Sequence, residues 1–121
     1  MMEIDSEVEI ILPLRGISYN SACKITKGGW LYKSKHCKQF QQLVYDLVKH
    51  HKQIEGEQLE VEYTFYFRGH KKLDVANYEK LLSDALNKVL FEDDSLIFTM
   101  LLHKQMGCDS DSIKVRVKKI K

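Results

Sequence analysis

The chain has 121 residues, 44% of them hydrophobic and 30% charged, with a formal net charge of +2. That suffices for one domain, 1–121, with a real core, and excludes two. No apolar run approaches the roughly 20 residues a bilayer span needs, and the acidic start, Met1 to Glu7, is unlike a secretory leader, so a cytoplasmic protein without a membrane partner is expected.

Glu7 to Leu12 alternates, with Val8, Ile10 and Leu12 on one face, and predicts a strand that Pro13 ends. Arg15 to Gly29 reads as a polar loop or irregular hairpin, with turn signals at Gly16, Asn20 and Gly28-Gly29 and a short strand from Trp30 to Tyr32 at its end. Ser34 is a suitable N-cap for a helix to about Gln53. Its apolar stripe is Cys37, Phe40, Val44, Leu47 and Val48, and His50-His51 falls late in it, where cations are favoured. Leu59 to Phe67 alternates most clearly and predicts a second strand.

Asp74 opens a second helix, expected to reach about Leu90. Tyr78, Leu81, Leu82, Ala85, Leu86 and Val89 form its buried stripe, and Asn77, Lys80, Asp84 and Lys88 follow another side. Phe91 to Ser95 is a short acidic connection. Leu96 to Lys104 is strongly apolar and predicts a strand at the centre of a sheet. A turn over Met106 to Asp111 leads to a last strand, Ser112 to Ile120, with Ile113, Val115 and Val117 facing the core and Lys114, Arg116 and Lys118 outward. This order predicts an α+β fold in two layers, a single mixed sheet with two main helices on one face. The sheet's other face then needs cover, which a second copy would supply.

Cys23, Cys37 and Cys108 are odd in number and have no zinc spacing, so three reduced thiols are expected. His36, His70 and His103 have no partner at metal-ligand spacing. Charge is unevenly distributed. The N-terminal dozen residues are acidic, the C-terminal dozen are basic, and Arg68-Gly-His70-Lys71-Lys72 leads directly into Asp74. Base clustered beside carboxylates suits a polyanion substrate, although a basic run alone is more often a solvated surface.

Hydrolysis of a phosphodiester needs charge neutralisation and an activated water, and magnesium, held by carboxylates, supplies both. Asp74 lies at the mouth of the second helix, and Asp93 and Asp94 lie beyond its end. If the strands on either side are neighbours, the connection must fold back to unite them, because a helix of about 15 residues is roughly 20–25 Å long. Lys80 sits six residues on from Asp74, about 9 Å along the axis, and can stabilise charge on a phosphoryl group. Asn77 can orient a water. The ordinary alternatives are an N-cap at Asp74, a polar turn at Asp93-Asp94 and an i,i+4 surface pair between Lys80 and Asp84.

Together these residues resemble the RusA family of Holliday junction resolvases. Its pattern is a basic run, Asp-hydrophobic-Asp-Asn, a lysine four residues after the second Asp, Asp-Ala-Leu, and Asp-Asp before a strand ending in lysine. This chain has His70-Lys71-Lys72, Asp74-Val-Ala-Asn77, Lys80, Asp84-Ala-Leu86, Asp93-Asp94 and Lys104 in the same register. The resemblance spans nearly the whole chain, and residues 70 to 104 carry its specific part.

The resemblance implies a RusA-like homodimer that binds four-way junction DNA in recombination and repair and cuts two opposed strands symmetrically with Mg2+. It needs no small-molecule cofactor. Metal ligands fall on Asp74, Asp94 and Asp93, and catalysis on Asp74, Lys80 and Asp94. DNA contacts fall on Arg68, His70, Lys71, Lys72, Asn77 and Lys104. One residue departs from the pattern: Ala76 stands where a carboxylate is expected, and a methyl group cannot ligate a metal. An engineered inactivation, a natural variant using Asp93 or Asp84, and a non-catalytic junction-binding architectural protein all accommodate it.

Overall fold

A computed structural model describes residues 7–18, 23–25, 31–33, 35–70 and 72–120. In chain order the elements are β1 (Glu7–Leu12), β2 (Cys23–Ile25), β3 (Leu31–Lys33), α1 (Lys35–Val48), β4 (Leu59–Tyr66), α2 (Ala76–Leu86), a 3-10 turn (Asp94–Leu96), β5 (Ile97–Gln105) and β6 (Ser112–Lys119). Four strands form one mixed sheet in the order β1-β6-β4-β5, and β2 and β3 pair separately. The fold is α+β, as the sequence pattern predicts. No helix among the described residues is long and apolar enough to cross a membrane.

Alternation on the strands sets one face of the sheet against the helices. Leu59, Val61, Tyr63 and Phe65 of β4 are fully buried, as are Ile113, Val115 and Val117 of β6. Against them pack Cys37, Phe40, Val44 and Val48 of α1 and Tyr78, Leu81, Leu82, Ala85 and Leu86 of α2. An aromatic row anchors this contact: Phe65 lies 5.9 Å from Tyr78 and 6.4 Å from both Tyr63 and Phe67 between ring centres. The backbone at Gly16 lies so close that an added Cβ would sit 2.9 Å from the Phe65 ring. Only glycine fits there without moving a fully buried side chain.

Both helices are shorter than the sequence predicts. α1 ends at Val48, so His50 and His51 lie past its end, and Leu47 is exposed rather than part of the stripe. Position 34, expected as its cap, lies outside the described residues. α2 ends at Leu86 because Asn87 turns to extended backbone and Lys88 takes a left-handed φ of +67°. Val89 is therefore only half-buried. Phe91, expected in a polar connection, is fully buried, and Lys88 N–H donates to its carbonyl.

The largest correction concerns β5, which lies at the edge of the sheet and not at its centre. β4 and β5 are parallel and joined through α2, while β6 returns antiparallel between β4 and β1. The turn from β5 to β6 crosses over the end of β4. Gly107 N–H donates to Gly69 O, Cys108 N–H to Phe67 O, and Arg68 N–H to Asp111 Oδ1. Gly107 has a φ of +69°, and the His70 ring occupies the place of its missing side chain. The apolar run of β5 is consequently half-open: Phe98 is 64% exposed and Leu101 42%.

The face of the sheet away from the helices is not an apolar surface awaiting cover. It carries a ladder of cross-strand ion pairs. Arg116 bridges Glu7 at 2.7 Å and Glu62 at 3.3 Å, and Glu62 also receives His103 Nε2 at 2.7 Å. Lys114 faces Glu9 at 3.7 Å and Lys118 faces Glu60 at 3.6 Å. The cations of the C-terminal strand are thus matched by carboxylates of β1 and β4, which is the ordinary reading of a charge-patterned surface.

Two outcomes follow for stability. Phe65→Ala should cost about 3–5 kcal/mol in denaturant unfolding, the range for deleting a buried aromatic. The ladder should make the fold acid-sensitive. His103 and Arg116 hold Glu62 below its usual value near 4.5, and the Arg116 hydrogen bond does the same for Glu7. A lowered folded-state value means stabilisation that is present above that usual value and lost as pH falls through the lowered one. The thermal midpoint should therefore drop on acidification below about pH 4.5, and Glu62→Gln should flatten that dependence.

Candidate active site

α2 starts where the chain leaves β4, through the basic loop 67–72, and turns back over the sheet. Asp74 shapes that start: its Oδ1 accepts Ala76 N–H at 3.1 Å and its carbonyl accepts Asn77 N–H at 3.1 Å. The N-cap residue proper is Val75, which makes no side-chain cap, so Asp74 caps the first turn from one position earlier. The carboxylate is otherwise exposed. Lys104, on the helix side of β5 opposite Phe65, donates its Nζ to the Leu73 carbonyl. Lys104 thus reaches the residue before Asp74 at the end of the sheet where β4 and β5 finish. Arg68, His70 and Lys72 are exposed in the adjoining loop, and position 71 lies outside the described residues.

One turn along α2 a cleft of about 330 Å³ opens between the helix and the start of β5. Glu79, Lys80, Ser83, Asp84, Asp94 and Phe98 line it. Lys80 Nζ lies 3.8 Å from Asp84 Oδ1, the i,i+4 pair the sequence offers. Asp94 is brought in by the 3-10 turn, whose first amide is fixed by Asn87 Oδ1 at 3.1 Å. Asp93 is not among the residues lining the cleft; Ser95 Oγ donates to it at 2.6 Å and holds it below the usual carboxylate value, with Lys88 assisting.

Of the sequence-predicted residues, the fold thus gathers Lys80, Asp84 and Asp94 in one cleft, and Asp74, Lys104, Arg68 and Lys72 near the end of the sheet where β4 and β5 finish. Asp74 is not among the residues that line the cleft. Among the described residues no three His, Cys, Asp or Glu side chains group closely enough to hold a metal ion. With Ala76 in place of a carboxylate, the cleft keeps Glu79, Asp84 and Asp94 as its acidic oxygen donors.

Three participants were not legible as such in the sequence. Tyr63 reads as a core residue of a strand and Ser83 as an interruption of the helix's apolar stripe. Both are buried, and their hydroxyls meet at 3.0 Å. Ser83 Oγ donates to Glu79 Oε2 at 2.6 Å, so the Tyr63 hydroxyl donates to Ser83. Burial and the charges of Glu79 and Asp94 push the Tyr63 phenol up, out of reach of ordinary pH. The chain Tyr63–Ser83–Glu79 fixes a carboxylate at the cleft, one helical turn on from Ala76. The i,i+4 spacing of Glu79 and Ser83 is the one sequence signal that could have shown it.

No curated protein matches the chain. The family model described as endodeoxyribonuclease RusA matches residues 18–118, most of the chain, and the chain belongs to that family.

The hydroxyl chain has an asymmetric expected response. Tyr63→Phe removes one end and leaves Ser83 bonded to Glu79, at a cost of about 1 kcal/mol. Ser83→Ala strands the buried phenol and should cost more, about 1–3 kcal/mol. Urea unfolding of both variants measures the difference, and equal costs would sink the assigned order of donors.

Proposed function

We propose that this member of the RusA endodeoxyribonuclease family binds four-way DNA junctions as a homodimer and is built to cut two opposed strands, with its cleavage weakened by Ala76. The observation that carries this reading is the placement of Lys80, Asp84 and Asp94 in one cleft, within the residues that the family model matches.

Lys80 is the group to neutralise charge that develops on the phosphoryl oxygens or the leaving oxygen. Its pairing with Asp84 keeps the ammonium at the cleft mouth. Arg68, His70, Lys72 and Lys104 offer cations to the DNA backbone beside Asp74, and Asn77 offers an amide one turn before the lysine. RusA-family resolvases generally depend on a divalent metal, which supplies charge neutralisation and water activation when bound. Glu79, Asp84 and Asp94 at the cleft are the oxygen donors that one chain offers such an ion, and a homodimer gives two such clefts.

The exposed edge of β5 supports the same conclusion. Its Phe98 and Leu101 form an apolar edge of the kind that pairs with another chain. Two copies related by a two-fold axis perpendicular to that edge pair it antiparallel, with the start of one β5 beside the end of the other. The two clefts match the two-fold symmetry of a junction.

A second reading, a junction-binding protein without catalysis, is favoured by one residue only, Ala76. The test is magnesium-dependent cleavage of a synthetic four-way junction by this chain and by Ala76→Asp, side by side. Paired nicks from the variant alone, or much faster nicks, mean that Ala76 silences an enzyme. Equal cleavage by both means that another carboxylate serves. Binding without cleavage by either supports the architectural reading, and no junction binding rejects the function. In whichever version cleaves, Lys80→Ala should lower the rate about 100- to 1,000-fold, as loss of one transition-state donor does, and leave the thermal midpoint unchanged. A monomer in sedimentation at micromolar concentration would count against the homodimer.

A further inference from the structure

Beside Asp74, on the side away from β5, a second cavity of about 300 Å³ is lined by Arg15, Gly16, Ile17, Ser18, His36 and Tyr78. The proposed function assigns no role to it. We infer that this cavity is a subsite for a DNA backbone phosphate, next along the strand from the phosphate at Asp74. The inference rests on the DNA-binding reading above and deepens it.

Three observations carry it. The lining contains an arginine, an imidazole and two hydroxyl residues and no carboxylate, in a chain with 17 acidic residues. Its cation is unspent: among the described residues no carboxylate pairs with Arg15 or with the His36 ring, whereas Lys114, Arg116 and Lys118 on the sheet are all matched. Finally, the guanidinium is held in place without being neutralised. Arg15 lies over the Phe67 ring at 5.6 Å from its centre, and the adjoining Gly16 is locked against Phe65 and Tyr78. A stacked arginine keeps its fork of donors free for phosphate oxygens.

Position links the cavity to the cleavage site. Tyr78 is four residues after Asp74, about 6 Å along the helix axis, and Phe67 leads directly into the basic loop 68–72. A strand laid across the start of α2 thus meets Arg68, Asp74 and then Arg15. Such a contact holds the backbone and reads no base. It should strengthen binding to any DNA and leave the choice of junction over duplex to other residues.

The experiment measures binding to a four-way junction and to a duplex of matched sequence over a series of salt concentrations, for the wild-type chain, Arg15→Gln and Arg15→Lys. Each lost phosphate contact lowers the slope of log affinity against log salt by about 0.9. Arg15→Gln should lower the slope by about that amount and weaken both DNAs by the same factor, while Arg15→Lys, which keeps the charge, should keep the slope. An unchanged slope for a folded Arg15→Gln overturns the subsite and leaves the proposed function standing. Equal losses in both variants, with lowered thermal midpoints, overturn it too, since Arg15 then acts through its packing on Phe67. A wild-type chain that binds neither DNA removes the proposed function and the subsite together.

Discussion

Strand β4 is hydrogen-bonded on both sides, parallel to β5 and antiparallel to β6, and its aromatic row is what the helices pack on. A parallel neighbour cannot be reached by a tight turn, so the chain must leave the end of β4, cross the sheet and restart at the beginning of β5. α2 is that crossover. Its length, its buried stripe and the positions of the residues at its two ends all follow from the demand that it cover Tyr63, Phe65 and Phe67. The Tyr63–Ser83 bond is a buried polar contact within this packing. It is tolerated because the hydroxyl chain ends on a carboxylate at the surface and leaves no buried polar atom unpaired among the described residues.

Electrostatics divides the molecule in two. On the sheet's open face acidic and basic residues alternate across β1, β6 and β4 and cancel locally, so that face has little field to offer a polyanion. The helix side is different. Arg68, His70, Lys72, Lys104 and Arg15 collect around the start of α2, and the carboxylate in their midst is Asp74. A net charge of +2 hides this arrangement, because long-range attraction of DNA depends on where unpaired cations stand and not on their sum.

Much of the fold was legible because burial imposes a period. The alternation of β4 and β6 and the stripes of both helices name the core residues nearly one for one. Helix ends were misread where a backbone special decided them: nothing in the pattern of Lys88 announces a left-handed turn. The edge position of β5 was hidden for another reason. A largely apolar run such as Ile97 to Leu102, broken only by Thr99, belongs equally to a strand buried between neighbours and to an edge that can pair with another chain. The candidate site was legible as a set of residues, through the spacing of Asp74, Lys80, Asp84 and Asp93-Asp94, and illegible as an arrangement. Glu79 and Ser83 escaped because their significance lies in a contact with Tyr63, 20 positions from Ser83 in the chain.

The placing of Asp94 is a matter of topology. In a parallel strand-helix-strand unit the residue before the helix lies near the end of the first strand and the residue after it near the start of the second. The seven residues between Leu86 and Asp94 moderate that separation here. They carry Leu90 and Phe91 into the core and turn residue 94 to a cleft that it shares with Glu79 and Lys80, in the first half of α2. Position 76 lies between Asp74 and that part of the helix. A methyl group there removes a carboxylate from the stretch that separates Asp74 from the cleft, and the chain has no other acidic side chain between Asp74 and Glu79 to replace it.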